Sequence, residues 1–252
     1  MKTPKLTLVG AGPGDPDLIT LKGVKALWDA DVVLYDALVN PELLQHAPYA
    51  EHIPVGKRAG QVSVSQKTIH HLIVDHALDN KHVVRLKGGD PFLFARGFEE
   101  LEYARQYGIE TASVVGVSSL HLPGMYGIPL TVRGINQSFS VVTATTSEGT
   151  LSEEVRLAAF NSPMTLFFMG LGKLELIVDL YKNAGRSDLP LAIISRGSME
   201  GGFIFQSTVG EVIKEIMDVD IPAPALLLFG EGAGVGAQQM VTPTEGQITE
   251  VA

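Results

Sequence analysis

The chain has 252 residues, 45% of them hydrophobic, a formal net charge of -9 and no cysteine. That is apolar material for one large α/β domain or two modest lobes, and it excludes disulfides, thiolate metal sites and cysteine nucleophiles. The acidic balance argues against nucleic acid as a partner, since phosphate binding draws on a net basic face.

No run of 18 apolar residues occurs, so no membrane-spanning helix is expected. Residues 1–20 carry two basic residues and a glycine-rich stretch at 10–14 but no long apolar core, so they do not read as a secretory signal and a cytoplasmic protein is expected.

In chain order, Lys5 to Val9 reads as a short apolar strand that runs into Gly10-Ala11-Gly12-Pro13-Gly14-Asp15. Leu18, Leu21, Val24, Ala26 and Leu27 then space an amphipathic helix. A strand at 31–35 follows, then Asp36 and a helix from about Pro41. The pattern predicts a helix over 66–79, a strand over 82–87, a helix over 97–107 and a strand over 111–115. Alternation of this kind predicts a mostly parallel sheet covered by helices.

The breaker-rich run Gly127-Ile128-Pro129-Leu130-Thr131-Val132-Arg133-Gly134 sets a lobe boundary at about 130–137, giving an N-terminal α/β lobe over 1–132 and a C-terminal α/β lobe over 133–252. Beyond it, strands are expected at 138–145, 164–169, 190–195, 203–208 and 224–230, with helices near 151–159, 171–184 and 209–217. More strand in a different order predicts a mixed sheet. No internal repeat is visible, and the tail after about 236 is polar.

The run Arg85-Leu86-Lys87-Gly88-Gly89-Asp90-Pro91-Phe92-Leu93-Phe94-Ala95-Arg96-Gly97 leaves a buried strand for a glycine pair that admits close backbone approach by a ligand. An ordinary strand-to-helix loop is the competing reading. Gly10 to Asp15 departs from the dinucleotide fingerprint, because Asp15 stands where the third glycine belongs and would repel a pyrophosphate. A non-phosphate ligand loop or a plain turn remains.

Asp36 follows an apolar strand at the sheet edge where open α/β folds place ligands, and capping the helix ahead of Pro41 is the equal alternative. Lys57-Arg58 is a solvated pair or a loop facing an anion. Arg96 and Glu99 share a helix face as a surface ion pair or as part of a site. The seven histidines lack metal-ligand spacing, and no Gly-x-Ser-x-Gly elbow occurs, so neither a metal nor a hydrolytic triad is expected.

Taken together, Val9 to Pro16 with Leu18-Ile19-Thr20, Asp36-Ala37-Leu38-Val39, Val55 to Gly60, Val84 to Phe92, Gly127 to Thr131 and Phe168-Met169-Gly170 resemble the tetrapyrrole methylase family, over roughly residues 5–232. The resemblance implies a two-lobed fold with a mostly parallel N-terminal sheet, a mixed C-terminal sheet and the cofactor in the cleft between lobes. It also implies a homodimer that uses S-adenosylmethionine twice, releasing S-adenosylhomocysteine, to methylate uroporphyrinogen III at C2 and C7 into precorrin-2 for sirohaem or cobalamin. By matching position the cofactor would meet Pro13, Gly88, Gly89, Asp90, Leu93, Ser118, Ser119, Met169, Gly197 and Ala225. Acid/base roles would fall on Asp36 and Lys57, and substrate contacts on Arg96, Glu99 and Arg133.

Four positions depart from the family pattern: Val115 replaces a usual proline, Val132 a histidine and Ala95 a glycine, and no basic residue lies near 202. Rival readings are a methylase of a later precorrin and a family member that binds cofactor without turnover.

Overall fold

The computed structural model describes residues 3–56, 64–79 and 81–235. The chain divides into two units, Met1–Ser119 and Leu120–Ala252.

The first unit runs β1 (Lys5–Gly10), α1 (Leu21–Trp28), β2 (Val32–Tyr35), β3 (Glu51–Pro54), α2 (Gln66–Leu78), β4 (His82–Lys87), α3 (Gly97–Arg105) and β5 (Glu110–Val114). Its sheet has the order β3-β2-β4-β1-β5, with every pair parallel. Both faces are covered. Leu6, Leu8, Val32, Leu34 and Val83 pack with Ile69 and Ile73 of α2 and Leu101 and Ala104 of α3. Val9, Val33, Val84 and Leu86 pack on the opposite face with Leu27 of α1 and Leu43. Burial on two sides makes these strands mostly apolar in sequence rather than alternating, with Thr7 and Arg85 as buried exceptions.

Helices α1 and α2 start on side-chain caps: Thr20 accepts from the Gly23 amide at 3.1 Å, and Ser65 from the Thr68 amide at 3.0 Å. The helix expected from Pro41 is a 3-10 helix, Pro41–His46.

The second unit runs α4 (Leu122–Met125), β6 (Ser140–Thr143), α5 (Glu153–Asn161), β7 (Met164–Phe168), α6 (Leu174–Asn183), β8 (Pro190–Ser195), β9 (Phe203–Thr208), α7 (Val212–Glu215) and β10 (Ala225–Gly230). Its sheet has the order β6-β7-β10-β8-β9 and is mixed: β6 and β7 are parallel, the other pairs antiparallel. One face packs Phe167, Leu191, Ile193, Leu227 and Phe229 against α5 and α6. The other packs Leu166, Ile194, Leu226 and Leu228 against Leu122, Tyr126 and Ile128.

That second cluster corrects the boundary expected at 130–137. Residues 120–128 place their apolar side chains on the second sheet, so the division falls at Ser119/Leu120, ahead of the breaker-rich run. Two elements escaped the sequence pattern. Strand β3 lies at the sheet edge with an exposed, Pro54-containing sequence and no alternation to read. Helix α4 is a single turn built around Pro123.

Tyr181 of α6 is fully buried against Phe167 and Phe229, ring centroids 6.3 and 4.6 Å away. Its hydroxyl donates to Thr165 Oγ1 at 3.2 Å, and burial pushes the phenol up to about 12. Because the folded value lies above the unfolded one of about 10, the protonated phenol favours the fold below pH 10. That contribution of about 2 to 3 kcal/mol is lost as pH rises from about 10 to about 12. Urea melts across this window should show the loss in the parent and a shallower slope in Tyr181→Phe. Equal slopes would contradict the assignment.

Candidate active site

In an all-parallel sheet the loops after the strands open on one edge, where ligands of open α/β folds collect. Three of those loops lie almost backbone to backbone here. Gly89 N donates to Gly12 O at 2.7 Å and Gly12 N to Gly89 O at 3.3 Å, joining the loops after β1 and β4. Asp90 ties in the third: its Oδ2 accepts from Gly116 N at 3.1 Å after β5, while Oδ1 accepts from Phe92 N at 2.8 Å.

A Cβ on Gly116 would stand 2.2 Å from Gly89 O and 2.7 Å from Gly10 Cα, so the approach requires glycine. At Gly89 the reason differs. Its φ of +67° disfavours a side chain, and an added Cβ would meet only Ser118 Cα, at 4.0 Å, so its outer face is open. Pro13, Gly88, Leu93 and Ser119 are half-buried on these same loops and Ser118 is buried.

Asp36 ends β2 at this edge. The cap ahead of Pro41 is Asn40, whose side chain accepts from the Glu42 amide at 3.0 Å, so Asp36 is not the helix cap. Arg85 pairs with Asp36 Oδ1 and donates from Nη1 to Leu34 O and Leu86 O, each at 3.2 Å. Lys87 Nζ lies 2.8 Å from Glu100 Oε1 and 3.9 Å from Asp36 Oδ2. Arg85 Nε approaches the same Glu100 oxygen at 3.4 Å, and Gln66 Nε2 donates to it at 3.1 Å.

The cluster therefore holds two cations and two anions. Only the Asp36 side chain reaches solvent, at 29% exposure against 4% or less for the others. Burial, then the Arg85 charge, lowers the Lys87 ammonium from its ordinary value, while Glu100 and Asp36 oppose that shift.

Arg85, Lys87 and Glu100 were missed as site residues in sequence. The available signal was a pair of cations two apart in an otherwise apolar strand, which places both on one face. The acid-rich start of α3 then carries their partner.

Of the other expected residues, Arg96 and Glu99 form an exposed ion pair, with Arg96 Nε 3.0 and 3.1 Å from the two Glu99 oxygens. Lys57 and Arg58 lie outside the described residues. Arg133 is exposed in the turn closed by Val132 and Asn136.

The second unit has an edge of its own. β7 and β8 both run antiparallel to β10, so the ends of β6, β7 and β8 and the start of β10 meet there. Met169 follows β7 and Arg196 follows β8, both in the left-handed region with φ of 54° and 51°. Non-glycine residues in that region store strain of about 1 kcal/mol or more and concentrate at ligand sites.

Met169 is exposed, and its carbonyl accepts from Thr145 Oγ1 at 2.9 Å. Gly197 is buried beneath Ile194 and Leu122, its carbonyl accepting from the Tyr126 hydroxyl at 2.7 Å. Ala225 opens β10 opposite Ser195. Arg196 is a further candidate that sequence reasoning passed over, since its signal is a backbone angle.

Among the described residues no three His, Asp or Glu side chains stand together as metal ligands, and no helix is long and apolar enough to cross a membrane.

The sequence profile of the Tetrapyrrole (Corrin/Porphyrin) Methylases matches residues 5–213. This chain belongs to that family. A relative from Methanocaldococcus jannaschii named uroporphyrinogen-III C-methyltransferase is 40% identical over 237 residues, covering 92% of this chain and 98% of its own. Another so named, from Pseudomonas aeruginosa, is 41% identical over 229 residues, covering 90% and 93%. A crystal structure of uroporphyrin-III C-methyl transferase from Thermus thermophilus complexed with S-adenyl homocysteine superposes with a TM-score of 0.79 at 36% identity, covering 91% of this chain and 99% of that one. The glycine-tied edge of the first unit and the strained edge of the second are thus features of a tetrapyrrole methylase.

Proposed function

We propose that this chain is an S-adenosylmethionine-dependent C-methyltransferase that converts uroporphyrinogen III to precorrin-2 by methylation at C2 and C7, acting as a cytoplasmic homodimer. The observation that carries the reading is the edge of the first unit. A partly exposed carboxylate, Asp36, is held by buried cations beside a backbone cradle whose outer face at Gly89 is open. Near 40% identity to proteins of that name over nearly their full length supports the substrate.

The residues present fit the cofactor. A thioether nucleoside needs close backbone approach rather than a phosphate site, and Gly88-Gly89 supply it, with Asp90 holding the loop and Asp15 discouraging phosphate. When bound, the cofactor supplies a methyl group on a sulfonium, an electrophile that an electron-rich pyrrole carbon attacks directly. Catalysis by this chain is then largely a matter of alignment, for which orientation supplies on the order of 7 to 11 kcal/mol in favourable systems. To Asp36 we assign the balancing of the positive charge that the ring gains and the uptake of the proton it releases.

Uroporphyrinogen is a polycarboxylate and the chain is itself acidic, so binding must rest on local cations. Arg96, fixed by Glu99, and exposed Arg133 are assigned that role, with Lys57. Val115, where the family usually has proline, is 69% exposed, so the departure disturbs no core packing.

Calorimetry with S-adenosylhomocysteine in the presence of a chelator tests the cofactor reading: binding is expected, and its absence would contradict it. Arg96→Leu and Arg133→Leu should each raise the apparent substrate constant by roughly 10- to 100-fold, the loss of one charge-assisted contact, with cofactor affinity unchanged. Arg→Lys should recover part of it, since an ammonium lacks the planar fork. Leucine variants with the parent's substrate constant would misplace the substrate site.

A further inference from the structure

Lys87 and Glu100 take no direct part in the proposed reaction, yet they are 3% and 0% exposed. A pure packing role is commonly filled as well or better by apolar residues of similar size. This pair is also imperfectly satisfied: Glu100 Oε2 and Arg85 Nε are buried with no hydrogen-bond partner.

The geometry shows what the pair does. One guanidinium serves two carboxylates, Arg85 Nε facing Glu100 at 3.4 Å while Nη2 pairs with Asp36. Lys87 occupies the same Glu100 oxygen at 2.8 Å and stands 3.9 Å behind Asp36. Gln66 also donates to that oxygen, and its amide contacts His70 at 3.2 Å; Glu99 and Arg96 lie farther out at the start of α3. With Lys87 in place Glu100 Oε1 is engaged and the outer end of Arg85 stays on Asp36. Without it, Glu100 would be left to compete with Asp36 for the same guanidinium.

We infer that Lys87 and Glu100 are positioning residues, holding Arg85 on Asp36 so that the solvent-reaching carboxylate keeps one orientation at the sheet edge. The inference rests on the reading of Asp36 as the acid/base group of the proposed reaction. Lys87 adds its own charge behind the same carboxylate.

Two readouts test it. The first needs neither cofactor nor turnover: the side-chain resonances of Lys87 followed through pH. In the parent Lys87 titrates below ordinary lysine, and Asp36→Asn, by removing one of the carboxylates that raise it, should move the midpoint down further.

The second is kinetic. Lys87→Met should lower kcat at least about tenfold, leaving KM and S-adenosylhomocysteine affinity within about twofold. Adding Glu100→Leu to it should recover part of the loss, because Arg85 is then released to Asp36, and should restore the melting temperature. Three results would each overturn the inference: a Lys87 midpoint unmoved by Asp36→Asn, a Lys87→Met enzyme with parental kcat, or a double variant no faster than the single one. If Lys87→Met alone does not fold, the resonance shift and the charge-balanced double variant decide. A parent enzyme inactive on uroporphyrinogen III would refute the proposed function, and the resonance experiment would still decide the inference.

Discussion

Gly116→Ala is expected to destabilise the first unit by about 3 kcal/mol or more and to abolish S-adenosylhomocysteine binding. Overpacking a well-filled site typically costs about 1 to 3 kcal/mol when side chains can shift aside. Here the new methyl would lie 2.2 Å from Gly89 O and 2.7 Å from Gly10 Cα, and backbone held by the sheet at Gly10 and by the Gly12–Gly89 hydrogen bonds cannot move so easily. Relief would require separating the loops after β4 and β5, which breaks the Asp90 to Gly116 bond and displaces the open face of Gly89. Urea unfolding measures the first effect and calorimetry the second. A variant with parental stability and affinity would show that the three loops do not lie as described.

Glu100→Leu should be the most damaging single change in the charged cluster, at about 3 to 5 kcal/mol, the usual consequence of leaving buried charge uncompensated. Lys87 and Arg85 would then share Asp36 alone, and Gln66 would lose its acceptor. Glu100→Gln should cost less, since the amide oxygen still accepts from Lys87. Thermal melts of the two variants against the parent supply the check, and a Glu100→Leu protein as stable as the parent would contradict the account of the cluster.

The inner strands of the first sheet were legible because burial on both faces leaves mostly apolar runs, Leu6 to Val9 broken by Thr7 and Val83 to Leu86 broken by Arg85, with Gly10 and Gly88 close behind. β3 was not, because an exposed edge strand has no apolar pattern to display. The sequence pattern sets the domain boundary too late for a related reason. Pro129 and Gly134 mark a turn, but which sheet Leu122 and Ile128 cover is settled by tertiary packing.

At the site, the glycine pair and Asp36 stand out in sequence, and the capping reading of Asp36 falls away only once Asn40 is seen to cap the helix. Glu100 lies 13 residues beyond Lys87 on another element. Nothing local links them, since the pair exists only when α3 packs on the sheet. Asp90 shows the limit from the other side: position marks it as a ligand residue, and the structure adds that its carboxylate ties the loop after β5 to its own.

Methyl transfer to uroporphyrinogen III is decided by incubating the purified protein anaerobically with S-adenosylmethionine and that substrate and reading the product by mass spectrometry. A tetrapyrrole heavier by two methyl groups is expected, formed in the presence of chelator and lost in Asp36→Asn. Recovery of unmodified uroporphyrinogen III, or methylation only when a later precorrin is offered instead, would contradict it.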